Sequence, residues 1–460
     1  MAAAEPALEA RLPVGRVALI RLCRRQVVFA AICTLLLVLV AACGGGAAEP
    51  SPSPAATRTR APTQAPTPSA SPTPGVGNPE FDSARALELV RALSVDIGSR
   101  AAGTDGERRA ATYIRDGLAT YGYHASLQPF PIQSFVDVST SLELLSPQQL
   151  AIEAQALGGS VSAQVEAQLV AAGLGYAPQF PAGTAGSIVL IERGEITFAE
   201  KVANATAAGA AAVIVHNNQS GPFFGQMASE SRIPAASISR EDGLALAELL
   251  SGDAVTARLA VEARTETTQS QNVVAKPPSG ECRLVVGGHY DSVPAGPGAN
   301  DNASGTAVVI EIARAMAADG AFDETCFVLF GAEEIGLIGS SHYVQSLTAD
   351  ELAGLKAMLN FDMLAVGDGW PLGGTAGIVD IAAQGADRLA IAHSDESGLP
   401  AGGGSDHASF IQAGVPAMLF NCFCDPNYHT AGDRFEFIKE DRLAEAGAMG
   451  LATAEVLLAR

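Results

Sequence analysis

Leu284-Val-Val-Gly-Gly-His289-Tyr-Asp291-Ser292, followed five residues later by Gly298-Ala-Asn-Asp301-Asn-Ala-Ser-Gly305, decides how this chain is read. The apolar run Leu284 to Val286 is strand-like and leads into the first loop. Thr306 to Ala317 has helical spacing and follows the second. His289 and Asp301 therefore sit in glycine-rich loops beside a strand end. An imidazole and a carboxylate in that setting suit a divalent metal. Glu333-Glu334, Asp362 and His429 occupy similar contexts further on. Together they read as a two-metal hydrolase site.

The elements around these residues point the same way. From Gln271 onward strands alternate with helices, which is the pattern of an α/β fold. The expected strands are 272–275, 282–288, 325–330, 357–361 and 417–420. Several candidate ligands fall just after them, and open α/β sheets carry their sites at the carboxyl ends of strands.

The composition sets limits on partners. The chain has 460 residues, 48% of them apolar, enough for a catalytic domain plus a smaller one. Its formal net charge is −21. Residues 1–42 carry five arginines and two glutamates, so the rest holds 23 basic against 47 acidic side chains, a net −24. That balance argues against nucleic acid and does not favour anionic lipid.

The N-terminus reads as a targeting segment. Arg11, Arg16, Arg21, Arg24 and Arg25 precede an uncharged apolar run of sixteen residues, Val27 to Ala42. That run is short for a membrane span and ends in small residues. Val40-Ala-Ala-Cys43 resembles a bacterial lipoprotein box, which implies lipidation at Cys43 and a cell-surface, extracytoplasmic body. A secretory signal or an uncleaved anchor is the other reading. Any membrane association is expected through this segment alone. Residues 44–80, rich in Pro, Ser, Thr and Ala, read as a disordered tether.

Order is expected from Phe81. Ala84 to Leu93 and Glu107 to Tyr121 have helical spacing, the second with Ala111, Tyr113, Ile114 and Leu118 on its apolar side. Phe130 to Val136 reads as a strand. From about Ser139 to Thr268 short strands and turns dominate. There Arg193-Gly194, Phe198, Lys201, Gly209-Ala210 and Ile233-Pro234 resemble the pattern of a protease-associated (PA) domain.

Four cysteines lie outside the targeting segment: Cys282, Cys326, Cys422 and Cys424. An oxidising compartment permits disulfides. Cys282 and Cys326 both begin strand-like runs and can pair across neighbouring strands. A bridge between Cys422 and Cys424 is strained.

The chemistry can be assigned residue by residue. Of seven histidines, His124 and His216 read as surface or packing residues, His342 as structural at a helix start, and His393 as a surface residue of an apolar helix. His289, Asp301 and Asp362 are expected to hold one metal; Asp301, Glu334 and His429 hold the other, with Asp301 bridging. Zinc suits this donor set first, with cobalt or manganese as substitutes. Two such ions about 3.5–4 Å apart polarise a carbonyl and activate water. Asp291 is placed to orient the His289 ring. Adjacent side chains at a strand end diverge, so Glu334 is assigned to metal and Glu333 to general base. Tyr428 either donates to the developing oxyanion or packs. Ser405-Asp406-His407 lacks the Gly-x-Ser-x-Gly elbow of a serine hydrolase and reads as loop-shaping.

His289-x-Asp291, Asp301 within Gly-x-Asn-Asp-Asn-x-Ser-Gly, Glu333-Glu334, Asn360-Phe-Asp362-Met, Ser405-Asp406-His407 and Tyr428-His429-Thr430 together resemble the M28 family of zinc peptidases. The resemblance covers roughly residues 81–460. It implies an α/β fold with a mixed, mostly parallel central sheet flanked by helices. The peptidase domain would comprise 81–138 and 269–460, interrupted by a β-rich PA insert at 139–268. It implies two zinc ions, a cis peptide between Asp301 and Asn302, and peptide substrates with a free N-terminus. Alternatives are a carboxypeptidase-like member, for which Arg388 and Arg434 are available cations, a glutaminyl-cyclase-like member, or a non-catalytic PA-domain binding protein. Side-chain preference and oligomeric state are left open.

Overall fold

A computed structural model describes residues 80–459, apart from 228, 321–322, 398–403 and 423–424. The expectations for the targeting segment, the tether and Cys424 lie outside the described residues.

Four adjacent parallel strands form the centre of the sheet, in the order Ala417–Phe420, Ala357–Phe361, Leu284–His289 and Thr325–Phe330. Pro371–Gly374 pairs antiparallel on one side, with Ser394–Ser397 beyond it. Thr256–Lys276 pairs antiparallel on the other. The sheet is thus mixed and mostly parallel at its core.

The burial pattern explains why these runs are almost continuously apolar. Side chains alternate between faces along a strand, and a sheet covered on both faces buries both sets. Leu284, Val286, Phe327, Leu329, Leu359 and Phe361 pack on one face against helices Ser83–Arg91, Asp105–Thr120, Gly305–Asp319 and Glu440–Ala459. Val285, Val328, Phe330 and Met358 turn to the other, against Tyr343, Val344 and Phe410 from helices Ile338–Ser346 and His407–Gln412.

Two strands are far longer than the sequence suggested. His124–Ser146 and Thr256–Lys276 pair antiparallel from His124↔Lys276 to Ser146↔Thr256. Both strands continue through 138–139 and 268–269, with a shift of register between Asp137 and Ser139. Near its end, Thr256–Lys276 borders the parallel core (Phe327↔Ala275); near its start, it pairs with Ala163–Ala171 (Ala163↔Val261). The second sheet continues from there through Ile188–Glu192, Ala212–His216 and Ala235–Ile238, all parallel neighbours.

Three local expectations need correction. Tyr113 is 41% exposed, because Ala110, Ala111, Ile114 and Leu118 complete the buried stripe of its helix without it. His393 lies beyond the helix Ala376–Arg388, in the connection to the strand at Ser394. His342 sits in the middle of its helix rather than at the start, half-buried, with its ring 5.1 Å from that of Phe130.

Cys282 and Cys326 form a disulfide, with Cα atoms 5.3 Å apart. Cys326 pairs with Val285 in the parallel register, which brings Cys282, just before that strand, alongside. Cys422 is a buried free thiol. The bridge closes a loop across a sequence separation of 44, for which the chain-entropy estimate is ~4 kcal/mol. A Cys282→Ala/Cys326→Ala double variant should lose roughly 2–4 kcal/mol in urea unfolding. An unchanged midpoint would count against the bridge.

Candidate metal centre and cleft

The four parallel strands end on the same edge, and the candidate ligands emerge there. His289 is the last residue of its strand, and Asp362 directly follows Phe361. Glu333 and Glu334 follow the strand ending at Phe330 after a turn at Ala332, whose φ is 56°. Asp301 sits in an irregular turn before helix Gly305–Asp319. His429 comes from a loop after Ala417–Phe420, with a left-handed φ of 59°. For a non-glycine residue that conformation is strained, and it is held by its surroundings.

The structure brings all five together. Ligand atoms of His289, Asp301 and Asp362 lie within 4.8 Å of one another, as do those of Asp301, Glu334 and His429. Asp301 belongs to both groups. Its Oδ1 is 3.2 Å from His289 Nε2 and its Oδ2 is 3.3 Å from His429 Nε2. Asp362 Oδ1 stands 3.3 Å from His289 Nε2, and Glu334 Oε2 stands 2.9 Å from His429 Nε2. Glu333 is set slightly back, 3.9 Å from His289 Nε2.

Close packing of the backbone makes this convergence possible. A Cβ on Gly288 or Gly305 would run into the Phe361 carbonyl oxygen. The glycines beside His289 and Asp301 thus let both segments close on the residue preceding Asp362. Asn302 Nδ2 donates to that same carbonyl at 2.9 Å, while its Oδ1 accepts from Gly305 N and Met363 N. The Asp301–Asn302 peptide is cis.

Further groups hold the ligands in place. Asp291 Oδ1 lies 3.5 Å from His289 Nδ1, and its two oxygens accept from the amides of Glu333 and Glu334. One side chain so links the imidazole to the glutamate turn. Asp433 accepts from the amides of Asn300 and Asp301, at 2.7 and 2.9 Å. Burial pushes its carboxyl up to about 7. Asn300 Nδ2 donates to Asp425. Fully buried Arg100 donates to the carbonyls of Tyr290, Pro297 and Gly298, fixing the loop between His289 and Asp301. Burial lowers Arg100 to about 10, so it stays charged at neutral pH. Asp406 is fully buried at the start of its helix, and Asn360 Nδ2 donates to Ser405 Oγ at 2.6 Å.

The electrostatics follow from burying so many acids. Burial alone would lower the imidazole of His429, but Glu334 and Asp301 raise it to about 10. His289 is likewise driven well above its usual value, chiefly by Glu333 and Asp362, against its burial. Burial, and then the carboxylates of Glu334, Asp406 and Asp362, push Glu333 well above the usual carboxylate range. Burial and then Asp301 and Glu334 keep the Tyr428 phenol protonated. Tyr428 is nonetheless 38% exposed, with its ring stacked on that of His429 at 3.8 Å.

These groups open into a cavity of about 380 Å³. Glu333, Glu334, Tyr428 and His429 form part of its lining; Arg193, Phe198, Phe224 and Gln226, from the second sheet's loops and helix, form another part. Phe224 N donates to His429 O at 3.5 Å. Sequence reasoning treated Arg193 as a domain motif residue and missed its place here. Asp433 and Arg100 were missed as well; for Arg100, a lone charge in a loop of small residues was the available signal. Arg388 ends a helix exposed to solvent, and Arg434 is turned outward beside Glu436.

Comparisons with known proteins identify the family and the fold. The sequence model of peptidase family M28 matches residues 272–454, and that of the PA domain matches 165–246. Aminopeptidase YwaD of Bacillus subtilis strain 168 is 36% identical over 403 residues, covering 82% of this chain and 84% of that protein. The solved structure of BSAP, a zinc aminopeptidase from Bacillus subtilis, superposes with a TM-score of 0.70 at 32% identity, covering 83% of this chain and 96% of that one. An aminopeptidase from Aneurinibacillus sp. strain AM-1 gives a TM-score of 0.66 at 34% identity, over 82% and 93%.

The glycine argument is testable. Gly305→Ala should cost roughly 1–3 kcal/mol, as overpacking does, and should lower zinc retention on dialysis. Wild-type stability together with wild-type metal content would show that the Phe361 contact is not needed.

Proposed function

The chain belongs to peptidase family M28, and from that premise we propose that it is a two-zinc aminopeptidase releasing the N-terminal residue of peptides. The observation that carries this reading is the pair of ligand sets sharing Asp301. Each set combines one imidazole with two carboxylates, a donor chemistry that fits zinc and accepts cobalt or manganese. Glu334 Oε1 is buried without a hydrogen-bond partner, as expected of an atom kept for a cation. His289, Asp301 and Asp362 would hold one ion, and Asp301, Glu334 and His429 the other.

Zinc bound there supplies Lewis acidity, polarising the scissile carbonyl and bringing the pKa of water towards neutrality. The chain's own residues do the rest. Glu333, beside the ligands and only 12% exposed at its side chain, takes the proton from the attacking water and hands it to the departing amine. It stands beside both ligand sets without belonging to either, as a group that must accept and return a proton requires. The Tyr428 phenol, protonated and facing the cavity, donates to the oxygen that gains charge. Asp291 keeps the His289 ring and the glutamate turn in register.

Two experiments test the reading. Protein stripped with a chelator and reloaded with zinc should bind about two ions per chain and cleave leucine anilide, but not its N-acetyl derivative. A stoichiometry well below two, or cleavage of the blocked substrate, would count against it. Glu333→Gln should lower kcat roughly 10²- to 10⁴-fold at wild-type zinc content; turnover that survives the change would remove Glu333 from its role.

A further inference from the structure

Among the described residues lining the cleft, Arg193 is the one arginine or lysine. It follows the strand Ile188–Glu192, and its amide donates to His216 O at 2.9 Å, which fixes its backbone. The guanidinium lies over the Phe223 ring, with Cζ 4.9 Å from the centroid. Nη1 donates to Asn217 Oδ1 at 3.2 Å. Asn217 is itself fully buried and anchored to Gly221 O. The plane of the guanidinium is therefore held from below and from one side.

Its remaining side-chain donors have no partner among the described residues. A guanidinium carries five N–H groups, and only the bond to Asn217 uses one of them among the described residues. No described carboxylate lies within ion-pair distance of it. A half-buried, pre-oriented cation with open donors is suited to bidentate capture of a carboxylate.

The cavity thus has two chemically distinct parts. Glu333, Glu334 and His429 line the part at the proposed metal centre, Arg193 supplies a cation in another, and Tyr428 belongs to the same lining. A short dipeptide likewise has its scissile bond beside its ammonium and a carboxylate on the leaving side. On the aminopeptidase reading, we propose that Arg193 is a specificity-determining residue that binds a carboxylate of the peptide substrate on the leaving side of the scissile bond. That carboxylate is either the α-carboxylate of a dipeptide or an acidic side chain following the released residue.

The zinc-loaded full chain, as wild type, Arg193→Gln and Arg193→Lys, is assayed on Leu-Gly, Leu-Gly-amide, Leu-Asp-amide and Leu-Asn-amide. Thermal melts accompany each variant. In the wild type, kcat/KM should favour Leu-Gly over its amide roughly ten- to hundredfold. That ratio should fall to near one in Arg193→Gln and remain partly in Arg193→Lys, which keeps the charge but not the fork. If the preference falls instead on Leu-Asp-amide over Leu-Asn-amide and vanishes in Arg193→Gln, the side-chain carboxylate is the ligand and the proposal stands. Equal losses on all four substrates, with ratios unchanged, would make Arg193 structural and overturn it. A wild type that cleaves all four without preference overturns this proposal alone. A wild type that cleaves none overturns the aminopeptidase reading with it.

Discussion

The Asp301 carboxylate stands between two imidazoles and offers one oxygen to each. Everything else at the site is arranged around that shared group. Asp301, Glu333, Glu334 and Asp362 are four acids gathered with two histidines, in surroundings largely closed to water. Burying uncompensated charge costs several kcal/mol per ion, and protein groups can respond only by moving protons. The raised imidazoles of His289 and His429 are that response. Divalent cations held by these residues would resolve the same conflict without protonating the ligands. Asp433 and the buried Arg100 then have a clear physical task, since the loop carrying Asp301 must not relax away from the acids it repels.

The sheet explains why the convergence needs so few special devices. Parallel strands present their carboxyl ends on one edge, so adjacent strands deliver His289, Asp362 and the Glu333-Glu334 turn to neighbouring positions. What the strands alone do not supply is the last few ångströms. Gly288, Gly305 and Asn302 supply them by letting backbone approach backbone at Phe361. The glycine-rich character of the loops is therefore a packing requirement as much as a turn signal.

Part of this was legible in the sequence. The strands 325–330, 357–361 and 417–420 stand where apolar runs predicted them, because strands buried on both faces leave a continuous apolar trace. The proximity of His289, Asp301, Glu334, Asp362 and His429 was legible because few residue types ligate metals and each lay beside a strand end. Other features left no local trace. The length of His124–Ser146 and Thr256–Lys276 depends on pairing across more than a hundred residues, and the middle of Thr256–Lys276 is polar on both faces. Tyr113 followed the helical period but lay at its margin, where a large aromatic side chain can face solvent. Arg100 and Asp433 look like loop charges until the fold closes over them.

The long strand pair also bears on how Arg193 reaches the cleft. A second domain joined by flexible linkers would present its loops to the metal site only part of the time. Here Thr256–Lys276 contributes hydrogen bonds to both sheets, so the second sheet continues from the first through a paired ribbon. Phe224 N at 3.5 Å from His429 O is a direct consequence, and it places the loop 221–227 against the residue after Tyr428. The aromatic and cationic lining contributed by Arg193, Phe198 and Phe224 is thus part of the cleft itself. On the proposed aminopeptidase reading, substitutions in that lining would alter which peptides fit without touching the residues proposed to hold metal.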